Sequence, residues 1–96
     1  MKRVRNINGT ADNPPCPCGS WLDHWKNYTG FDNPACAVDG CEKRANVGGH
    51  VLKAGGDMTQ YIIPLCYEHN NKRGEVLEIM DLVMHVKATA RDKCGQ

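Results

Sequence analysis

Residues 36–71 read CAVDGCEKRANVGGHVLKAGGDMTQYIIPLCYEHNN, and the spacing of four donor side chains within them decides the fold. Cys36 and Cys41 stand five apart, Cys66 and His69 three apart, and a hairpin-like stretch separates the two pairs. Zinc takes four soft or borderline donors at tetrahedral corners, and two close pairs on separate turns supply them without straining the chain. Gly40, just before Cys41, suits the tight turn that such a pair needs. Between the pairs, Val47 to Ala54 and Thr59 to Leu65 read as two strands joined at Gly55-Gly56-Asp57, with Pro64 ending the second.

Working outward, Ser20-Trp21-Leu22-Asp23 has the form of a helix start, in which Ser20 caps and Asp23 answers the first amides. The pattern predicts a short helix to about Asn27 with Trp21 and Trp25 on one face. A second short helix is expected over Tyr67 to Lys72, stopped at Gly74. In the tail, Leu82, Met84, Val86 and Ala88 alternate with Val83, His85 and Lys87, which favours strands, although Val76, Ile79, Met80, Val83 and Met84 also fit a helical stripe. Residues 1–15, rich in Asn, Gly, Asp and Pro, read as an extended, poorly ordered lead, and residues 16–96 as one zinc-binding domain. The expected class is therefore α+β: a small zinc-stabilised treble clef with a central β-hairpin, short helices and C-terminal strands.

Composition limits the alternatives. A chain of 96 residues, 41% of them apolar, holds one core and a thin one. Six Cys and four His offer another source of stability. A formal charge of +1 argues against a basic arm or a polybasic membrane patch and leaves room for a local basic site. If six thiolates held two zinc ions, that +1 would fall by six and rise by four, leaving −1, too little for a purely electrostatic grip on duplex DNA. The lead carries no apolar run of signal-peptide length and no segment is long enough to span a membrane. The expected compartment is the reducing cytoplasm, where thiolates hold metal rather than pair as disulfides. Nothing in the pattern chooses an oligomeric state.

A second cluster lies upstream: Cys16-Pro17-Cys18, then His24. A disulfide between residues two apart would be strained, so a shared metal explains the two thiols better. Cys16, Cys18 and His24 give three ligands to a second zinc, and Cys94 is the expected fourth, with His85 or His50 as substitutes. The same upstream cysteines carry a competing reading as a thiol-based redox or metal sensor.

The segment from Cys36 to Asn71 resembles zinc-containing HNH nucleases of the His-Me finger group, as found in small bacterial or phage-type proteins. Gly48-Gly49-His50-Val51 matches the hairpin that bears their histidine, and Leu65-Cys66-Tyr67-Glu68-His69-Asn70 matches their closing stretch. The resemblance implies that Cys66 and His69 are zinc ligands, that His50 stands where the general base does, and that Asn70 stands where a ligand of the catalytic metal does. In an active member, His50 would activate water against a phosphodiester while magnesium or a similar divalent ion stabilised the charge that develops. Two positions depart from the pattern. Gly49 occupies the place of an acidic or histidine metal ligand, and Thr59, Gln60 and Tyr61 stand where an orienting Asn belongs. A neutral Asn70 and one His make a poor site for a hard cation, which prefers carboxylates. The resemblance thus implies a degenerate, non-catalytic module, with a metal-dependent endonuclease as the alternative. Its partner would be nucleic acid or protein, met through the hairpin and the basic spots Lys43-Arg44 and Lys72-Arg73.

Overall fold

Val47 and Ile62-Ile63 favour extended backbone, and Gly55 supplies the positive φ of +75° that the turn between their strands requires. The computed structural model, which describes residues 2–7, 20–56 and 58–89, accordingly builds its sheet on this hairpin. In chain order the elements are β1 (Lys2–Asn6), α1 (Trp21–Thr29), β2 (Val47–Lys53), β3 (Gln60–Leu65), α2 (Tyr67–Asn70), β4 (Val76–Ile79) and β5 (Val86–Lys87). They form a small α+β structure with one five-stranded sheet in the order β4-β1-β2-β3-β5, every neighbouring pair antiparallel. The expected hairpin is present, with Val47 opposite Leu65 and Leu52 opposite Gln60; Asp57 lies outside the described residues.

The lead departs from expectation. Lys2–Asn6 is not loose chain but the second strand of the sheet, hydrogen-bonded to β2 on one side and β4 on the other. Val4 is fully buried, which explains why this charged segment holds. The tail forms strands, as its alternation suggests, but they are short and separate. Residues 80–85 turn between them, and Leu82, counted in the alternating run, is 95% exposed. Both helices differ in length from the reading. The first runs on to Thr29 and closes on Gly30 in the left-handed region, and the second covers only Tyr67–Asn70.

Side chains alternate across the strands and give two cores. One face gathers Val4, Val51, Ile63, Leu65, Leu77 and Ile79 with Cys36, Ala37 and Cys66. The other is covered by α1, where Trp25 meets Ile62, Val86 and Ala88. Ser20 caps α1 by accepting from the Asp23 N–H at 3.0 Å, and the shared tryptophan face expected from the spacing is the one that docks. Gly48 sets how closely α1 can approach, because a Cβ there would run into the backbone of Trp21 and Leu22. Backbone cannot yield as a flexible side chain can. Gly48→Ala is expected to cost about 1–3 kcal/mol, read from urea unfolding at saturating metal; an unchanged midpoint would mean that α1 does not pack at this distance in solution. Among the described residues, no helix is long and apolar enough to cross a membrane.

Candidate metal centre

The first ligand pair is built by a knuckle folded against the sheet edge. Ala35 bridges to Arg44, and the Cys36 N–H donates to the Lys43 carbonyl at 2.8 Å, so the strand leaving Cys36 doubles back beside itself. The reversal is a turn closed by the Cys41 N–H donating to Val38 at 3.0 Å, with Gly40 at φ +81°. Hydrogen bonds of 2.8–3.1 Å from Ala37 to Pro64, Asp39 to Glu78 and Met80 to Ala37 then pin the knuckle to β3 and β4. The second pair sits where β3 runs into α2. Cys66 is the residue preceding the helix, and the Asn46 side chain accepts from the Tyr67 N–H at 3.0 Å, capping the helix in place of Cys66.

These two units bring Cys36, Cys41, Cys66 and His69 together, with their ligand atoms all within 4.8 Å of one another, close enough to hold a metal ion. His69 Nδ1 lies 3.2 Å from the Cys66 sulfur and 3.6 Å from that of Cys36. Cys36 and Cys66 are buried, whereas Cys41 and His69 form the partly exposed rim. Outside that rim, Lys43 and Glu68 make an exposed ion pair at 2.7 Å that joins knuckle to helix. The pair lowers the Glu68 carboxyl and raises the Lys43 ammonium, each mainly through their mutual hydrogen bond.

Burial pushes the Cys36 thiol up to about 12. For Cys66 burial also acts upward, but the His69 N–H, the thiols of Cys36 and Cys41 and the Glu68 N–H outweigh it and hold the group below its ordinary value. Of the two buried thiols, Cys66 therefore gives up its proton more readily than Cys36. Cys36 gives up its own only to something strongly positive, and a metal ion is the obvious candidate.

The pair suggested by the nuclease resemblance is not brought together. A Cβ on Gly49 would lie 3.1 Å from Asn70 Oδ1, so Asn70 faces the side of β2 on which Gly49 points. His50 is the next residue and points to the other side, where its ring meets Trp21 edge-on at 4.6 Å and is only 4% exposed. Neither residue belongs to the four-donor cluster. Among the described residues His50 Nε2 has no hydrogen-bond partner. Burial, and then the nearby charge of His24, holds its imidazole below the ordinary 6.5.

A pH dependence follows. The unfolded chain takes up a proton as pH falls through about 6.5, while the folded chain resists until its own lower value, so stability present above 6.5 is lost below it. The stability of wild type relative to His50→Leu should fall between pH 7.5 and 5.5 at constant metal, measured by urea unfolding. A difference that stays constant with pH would remove His50 from the account.

Of the expected second cluster, Cys16, Cys18 and Cys94 lie outside the described residues. His24 is fully buried on α1, its Nε2 lies 3.0 Å from the Lys87 carbonyl, and its ring packs between those of Trp21 and Tyr28. His85, a substitute ligand in that reading, is half-buried with its ring against that of Tyr61.

Two residues were not singled out by their sequence context. Asn46 caps α2, and Asn6, fully buried on β1, donates from Nδ2 to the carbonyls of His69 and Asn70, each at 3.0 Å. An Asn before a hydrophobic run is too common to stand out, and Asn6 acts across more than sixty residues of chain. Compared with known proteins, the chain matches no protein-family model, no curated protein and no solved structure.

Proposed function

We propose that this protein is a zinc-stabilised treble-clef module of HNH-like descent that binds a partner and does not catalyse. The observation that carries the reading is the convergence of Cys36, Cys41, Cys66 and His69 within 4.8 Å. Zn–S bonds of about 2.3 Å and Zn–N bonds of about 2.0–2.1 Å at tetrahedral angles put a sulfur and a nitrogen about 3.5 Å apart. The His69 distances of 3.2 and 3.6 Å bracket that figure. Three thiolates and one imidazole favour zinc over hard cations, and four protein donors make a closed, structural site. Such a site keeps its thiolates in a reducing compartment such as the cytoplasm.

Nucleic acid is the partner class with an observation in its favour. Arg5 Nη1 donates to the Gly74 carbonyl at 2.9 Å, which brings β1's basic side beside the turn holding Lys72 and Arg73. Glu75 in that turn offsets one of these charges, so contact would be local and salt-sensitive. The endonuclease alternative would require His50 and Asn70 to act on one phosphate, from opposite faces of β2.

Counting ions by native mass spectrometry, before and after acid denaturation, tests the zinc. One ion fits the cluster above, and two would extend the reading to Cys16, Cys18, His24 and Cys94. A metal-free chain that still folds would defeat it. Incubation with plasmid and magnesium, manganese or nickel should leave the DNA intact, and nicking abolished by His50→Ala at unchanged zinc content would restore the nuclease. Anisotropy titrations with labelled oligonucleotides at low salt should show binding that weakens with added salt; its absence would turn attention to protein partners.

A further inference from the structure

The metal centre and the first strand of the chain share one residue. Asn6 is fully buried in β1, and its amide spends both N–H bonds on α2, one on the His69 carbonyl and one on the Asn70 carbonyl, each at 3.0 Å. Its backbone is engaged with the same region, because its N–H donates to Glu75 at 2.9 Å and its carbonyl accepts from Gly74 at 2.7 Å. The following turn reaches the His69 carbonyl only through the backbone N–H groups of Asn71 and Lys72, the latter at 3.2 Å, and the Asn6 amide adds the side-chain donor that ties both end carbonyls of this four-residue helix to the sheet. That donor comes from the strand lying between β2 and β4.

We propose that Asn6 is a positioning residue for the metal centre, through which docking of β1 and retention of the ion are coupled. The proposal rests on the zinc reading above. Holding the His69 carbonyl holds the helical turn, and with it the imidazole, at the place where Nδ1 meets the sulfurs of Cys36 and Cys66. Partners that orient a ligand in this way typically change metal affinity 10–100-fold when lost. Coupling between two sites is reciprocal, so whatever draws β1 out of the sheet loosens the ion, and loss of the ion loosens β1. The centre thereby responds to the state of β1, more than sixty residues away in sequence.

Two variants test this. Asn6→Asp keeps the shape but turns an oxygen toward both carbonyls in place of Nδ2, and Asn6→Ala removes the donor altogether. Zinc transfer from protein to a chromophoric chelator should accelerate about 10–100-fold in each. Ile62→Val, which thins the core on the α1 face, should change it less than about 3-fold, although it too lowers stability. A folded Asn6 variant that releases zinc at the wild-type rate overturns the proposal.

If neither variant folds, hydrogen exchange on the metal-loaded wild type decides. Residues 2–6 and 67–70 should open as one unit, with protection agreeing within about 3-fold. Exchange of β1 at least about 10-fold faster than α2 would overturn the coupling. A wild type that carries no zinc by native mass spectrometry would instead defeat the metal reading, and the exchange comparison would still report whether β1 and α2 open together.

Discussion

Cys66→Ser is expected to abolish metal retention and, with it, the folded state. The residue is 1% exposed, which shields its place in the cluster from solvent, and a hydroxyl is a far weaker zinc donor than a thiolate. Structural zinc contributes roughly 10–16 kcal/mol in small metal-dependent domains. The net stability of a domain is about 5–15 kcal/mol, so this chain has no reserve to absorb such a loss. Cooperative thermal unfolding and amide chemical-shift dispersion should both disappear, as they should when wild type is treated with a strong chelator. Cys41→Ser should be milder. Cys41 sits on the partly exposed rim, where water can take the fourth position, so excess zinc should restore the fold at reduced affinity. A Cys66→Ser protein that melts cooperatively with no ion bound would show that the cores alone suffice.

The second large effect belongs to the opposite face. Trp25 is 3% exposed, stacks on Phe31 with ring centroids 5.9 Å apart, and donates from Nε1 to the Met84 carbonyl at 2.8 Å. It therefore anchors α1 both to the sheet and to the loop entering β5. Trp25→Ala should cost about 3–5 kcal/mol at saturating zinc, while native mass spectrometry finds the ion count unchanged. Trp25→Phe keeps most of the burial and removes the hydrogen bond, and should cost about 1–2 kcal/mol. If Trp25→Ala also expelled the metal, the two faces of the sheet would have to be treated as one cooperative unit without separable contributions.

The parts of this structure that were legible in the sequence are those whose causes are local. Cys36 with Cys41 and Cys66 with His69 are close pairs, so their turns declare themselves, and the hairpin between them is marked by an apolar run and a Gly-Gly turn. Ser20 announces α1 because a capping side chain acts on a residue three positions away. Lys2–Asn6 gives no such notice. Its residues are mostly charged, Val4 is its one apolar side chain, and the strands that make it a strand lie at 51–53 and 76–79. His50 illustrates a different loss. Alternation says that it and Gly49 face opposite ways, but only the docking of α1 decides which of them is covered, and that depends on Gly48 lacking a side chain. The tail was half legible, since alternation exposed its extended character but not the turn that leaves Leu82 in solvent.

The position of β1 between β2 and β4 also bears on how the chain is made. Its first partner follows more than forty residues later and its second more than seventy. At the usual pace of about 5–20 residues per second, the N-terminal strand leaves the ribosome seconds before either partner exists. Over that interval Lys2, Arg3 and Arg5 keep it hydrated and mutually repelled, so the strand waits as soluble chain rather than as a sticky apolar edge. The charged residues that hid β1 from a reading of the sequence are well suited to protecting it during synthesis.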